Sequence, residues 1–124
     1  MTLQIFVEIN RDQDPKVAAK RKDEVAALAR TSLGEIKGVA IDDMAVRSQA
    51  NLDPATVAHL AVLLSAMAGA VGAGTSLLVA LRKMVTEGGA LIRAIKVEID
   101  GTPRSLESVT PEEVDKELRA PLRR

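Results

Sequence analysis

The amino-acid sequence predicts an α+β fold in a single domain over residues 1–124. Its expected order is a β-α-β start, a long Ala/Gly-rich apolar helical region over 54–87, then a β-hairpin and a C-terminal helix. Three observations predict it. Leu3, Ile5, Val7 and Ile9, and again Ile95, Val97 and Ile99, alternate with more polar residues at the period of a strand. Asp14-Pro15, Asp53-Pro54 and Thr110-Pro111 each join a capping side chain to a proline suited to the first helical position. Between the strand patterns lies Leu60 to Leu81, LAVLLSAMAGAVGAGTSLLVAL, 22 residues without a charge.

The elements follow in order. Thr2 to Ile9 is the first strand, and Phe6 falls on its second face, so that face is partly covered too. Asn10 to Asp14 is a polar loop. The first helix starts at Pro15, with Val25, Leu28, Ala29 and Leu33 as its apolar stripe and Gly34 as its C-cap. Its AKRKDE cluster reads as a solvated helix face. Val39 to Val46 is the second strand, in which the Asp42-Asp43 pair breaks the alternation. A bulge there restores the phase. Ser48 to Leu52 is a linker. Asp53-Pro54 then opens the central helical region, which Gly88-Gly89 closes.

Ile95 to Ile99 is the third strand. Asp100-Gly101 is the strongest hairpin signal in the chain. Thr102 to Val109 returns antiparallel, and Pro103 puts that return on a sheet edge. Thr110 to Glu113 forms a capping box for the last helix, whose stripe is Val114 and Leu118 and whose end is Pro121.

Three structures suit Leu60 to Leu81. A straight helix of that length, about 33 Å, would cross a bilayer. A helix buried in a core or an interface would hide it equally well. A pair of short helices could turn near Gly69 to Gly74. Ala66, Ala70 and Gly74 share a four-residue step, as do Ser65, Gly69 and Ala73, a spacing that lets helix backbones approach closely. Arg82 and Lys83 follow directly, so the C-terminal side of a span would stay in the cytoplasm. The charged segment before it would then have to cross, although the chain opens MTLQIFVEIN with no basic stretch or long apolar run. If strands before and after the stretch share a sheet, a single span is impossible.

Composition excludes several kinds of chemistry. Lys+Arg and Asp+Glu are each 17, so no broad basic field for nucleic acid is expected, and zero net charge favours self-association. One Phe, no Tyr and no Trp argue against stacking platforms for bases or sugars. Without Cys there is no thiolate metal site and no thiol nucleophile. The absence of cysteine fits a reducing cytoplasm. His59, the only histidine, reads as a helix-surface or capping residue. Asp42 and Asp43, as neighbours on a strand, point to opposite faces and make a poor catalytic pair. GAVGAG at 69–74 lacks the Lys-Ser or Lys-Thr and the preceding strand of a phosphate loop. No catalytic, cofactor-binding or metal residue is expected.

In layout the chain resembles the effector-associated constant component family of bacterial conflict systems. The resemblance rests on the N-terminal strand and helix, the centre LSAMAGAVGAGTSLLVAL, the helix end LRK and the final KVEIDGTPRSLESVTPEEVDKEL. A Trp-Leu-Arg expected near the end of the centre is here Ala80-Leu81-Arg82. The resemblance implies an accessory or adaptor role beside a variable effector, with no enzymatic residues to carry over.

The expected function is therefore a non-enzymatic cytoplasmic accessory protein that forms a homo-oligomer and engages an effector partner. Its helix-packing surface would be Ala66, Gly69, Ala70, Gly72, Ala73 and Gly74. The alternative is a small membrane-anchored protein whose segment 60–81 inserts in the bilayer.

Overall fold

The computed structural model describes residues 2–10, 15–47, 56–66 and 72–119. It is an α+β fold in which a five-stranded antiparallel sheet packs against three α-helices. Strands β1 (Thr2–Asn10), β2 (Val39–Arg47), β3 (Thr56–Ala66), β4 (Ile92–Ile99) and β5 (Thr102–Ser105) lie in the order β2-β3-β1-β4-β5. Helices α1 (Pro15–Gly34), α2 (Ala73–Gly88) and α3 (Pro111–Arg119) join or follow them. Since β1 and β2 both run antiparallel to β3, they are parallel to each other, and α1 carries the chain across. By the same logic α2 links the parallel pair β3 and β4 across β1. The β-α-β-β-α-β part is a split-βαβ, ferredoxin-like arrangement. The hairpin strand β5 and α3 extend it.

One expectation is corrected. The region 54–87 is not one helix: Thr56–Ala66 is an interior strand and the helix begins only at Ala73. The physical reason lies in the two faces of β3. Leu60, Val62 and Leu64 alternate into the core, opposite Val7, Ile5 and Leu3 of β1. Ala61 and Leu63 between them are also apolar, so the period of two is masked and the run reads equally well as a helix. Backbone pairing with β1 and β2 on its two sides decides for the strand. Among the described residues no helix is long and apolar enough to cross a membrane. The Asp53-Pro54 start and the linker from Ser48 lie outside the described residues, as does Asp14 before α1.

The core is one cluster between the helices and one face of the sheet. Leu3, Ile5, Val7 and Ile9 of β1 meet Val25, Ala29 and Leu33 of α1, Leu77, Leu78, Leu81 and Met84 of α2, and Val114 and Leu118 of α3. Of the stripe expected on α1, Val25, Ala29 and Leu33 are buried and Leu28 is partly buried against the core. Its expected cap needs adjustment: α1 ends at Gly34, but the left-handed residue is Gly38, φ 82°, at the turn into β2. Gly88-Gly89 does close α2, with Gly89 at φ 51°.

The bulge expected at the acidic pair is present. Ile41 pairs with Leu64 and Asp43 with Leu63, leaving Asp42 as the extra residue. The hairpin is present too. Asp100 (φ 55°) and Gly101 (φ 78°) form a two-residue turn of the I′ type between Ile99 and Thr102. The returning strand is shorter than expected, ending at Ser105, and β5 with Pro103 is an edge strand. A Gly101→Val variant is expected to lose about 1 kcal/mol or more, because a β-branched residue resists positive φ. Urea denaturation checks this, and an unchanged midpoint would contradict the turn.

Candidate functional site

The helices bury their apolar residues against one face of the sheet, that of Leu3, Ile5, Val7 and Ile9; the alternate residues form the other face. That second face is built in rows by strand register. Ala45, Ala61, Phe6 and Lys96 form the middle row across β2, β3, β1 and β4. Asp43, Leu63 and Gln4 form the row on one side. His59, Glu8 and Ala94 form the row on the other, with Arg47 in register with His59. The centre is thus apolar and shallow. Phe6 is half-buried, while Ala61 is 6% exposed beside it.

His59 is not the helix-surface residue expected, because its segment is a strand. It is buried, 6% exposed, and meets the Phe6 ring edge-to-face with centroids 5.6 Å apart and planes at 81°. The one histidine and the one phenylalanine therefore pack edge to face on this side of the sheet.

The ends of the face differ in charge. Asp42 accepts a 2.9 Å hydrogen bond from Ser65 Oγ, and Ser65 alternates with the core residue Leu64. Asp43 pairs with Leu63, which points the same way. The bulge therefore sets both aspartates on this face, not on opposite faces as a regular strand would. Glu98 stands at the same end on β4. At the other end Glu8 sits between Lys96 Nζ at 3.1 Å and Arg93 Nε at 4.0 Å. One end is acidic; at the other Arg93 is balanced by Glu8, which Lys96 reaches from the middle row.

The small residues expected to form a helix-packing surface do not share one helix. Ala66 ends β3 opposite Val39. Gly72 precedes α2 at φ 74°, and Ala73 and Gly74 begin the helix. Gly69 and Ala70 lie outside the described residues. Gly74 does make a close helix–helix contact, but with α3 of the same chain. Its N–H donates to Asp115 Oδ1 at 2.8 Å, so a carboxylate from α3 caps the start of α2. A Cβ on Gly74 would lie 2.5 Å from the Pro111 carbonyl oxygen.

The start of α3 is the expected capping box. Glu113 N–H donates to Thr110 Oγ1 at 3.2 Å, and Thr110 N–H donates to Glu113 Oε1 at 3.1 Å. Arg104 of β5 is ion-paired with Glu113, and its Nη2 donates to the Ser108 carbonyl at 2.6 Å. The Thr110 N–H, and then Arg104, hold the Glu113 carboxyl below its ordinary 4.5. A carboxyl depressed on folding binds fewer protons in the native state. Its stabilisation is therefore present above about pH 4.5 and is lost as pH falls through the lower, native value. Glu113→Gln is expected to flatten this acid limb of the stability profile. Denaturation midpoints between pH 7 and pH 3 measure it, and two parallel profiles would remove the role given to Glu113.

Among the described residues no group of three or more His, Asp or Glu could hold a metal ion. No family model matches the sequence, and no curated protein does.

Proposed function

We propose that this chain is a non-enzymatic cytoplasmic accessory protein that works by assembling, with itself and with an effector protein. The observation that supports the reading is the helix-free face of the sheet. Phe6, Leu63 and Ala45 give it a half-buried apolar middle around the buried Ala61. A sheet face of this kind gains about 25 cal/mol for each Å² of apolar surface that a partner removes from water. The effector side of the reading follows the resemblance to effector-associated constant components, which carry no enzymatic residues.

Sedimentation of the purified chain without detergent tests it. The expected result is a soluble species with a mass that is a multiple of 13.2 kDa. A detergent-free monomer at micromolar concentration would overturn self-assembly. A chain that stays in solution only with detergent would favour the membrane-anchored alternative.

A further inference from the structure

We draw no further inference here: the strongest candidate, the open edge of β2, where Val46 is 41% exposed and Met44 half-buried, carries nothing because nothing in the structure shows what covers it, and its bulge at Asp42 is of the kind that keeps a sheet edge unpaired.

Discussion

Gly74→Ala is expected to destabilise the fold by about 2 kcal/mol, although alanine is the better helix former. The propensity gain in a helix is about 1 kcal/mol. Against it stand overpacking, about 1–3 kcal/mol, and the loss of a hydrogen bond to a carboxylate, about 1.5–3 kcal/mol. Both follow from the same geometry. The new Cβ would come within 2.5 Å of the Pro111 carbonyl oxygen and 2.8 Å of Asp115 Oδ1. A backbone oxygen cannot rotate aside, so α3 must move off α2, and the Gly74 N–H loses its Asp115 cap. Melting should fall by roughly 4 °C for each kcal/mol in a chain of this size. Gly34→Ala is the control, since a Cβ there meets nothing within 4 Å. Equal midpoints for the two variants would show that α3 does not sit on the start of α2.

The second large effect separates strand from helix in the apolar run. Leu64→Ala is expected to cost about 3 kcal/mol, the ordinary loss for emptying a fully buried leucine site. Leu64 has no exposure and packs between Leu3 and Ile41 in register. Leu63, one residue earlier, points to the helix-free face and is half-buried. Its alanine variant should lose less than about 1 kcal/mol when measured at a fixed protein concentration. Urea denaturation of both variants tests the alternation. Equal large losses would place both leucines in one buried surface, as a helix through 54–87 would.

Much of the fold was legible locally. The alternation of Leu3 to Ile9, the stripe on α1, the Asp100-Gly101 turn and the Thr110–Glu113 capping box are each formed by residues close in sequence. So is the bulge, because a phase error between Ile41 and Met44 can be counted without knowing the partner strand. The candidate site was hardly legible. Phe6 was placed on a partly covered second face, but Ala61, Leu63 and Ala45 join it only through pairing with β3 and β2.

What the sequence determined by itself was the set of local signals: period, caps, turn, bulge and the absence of thiol chemistry. What only the tertiary structure decided was that Leu60–Ala66 is strand and Ala73–Leu81 helix, and the use of Gly74. A run such as Leu60 to Leu64, apolar at every position, has no period to read. Whether its backbone groups bond within the run or to neighbours depends on whether β1 and β2 are free to pair with it. They are, so the first part became a strand of the sheet. Gly74 after it then served a contact within the chain, because α3, more than 35 residues further on, folds back onto it.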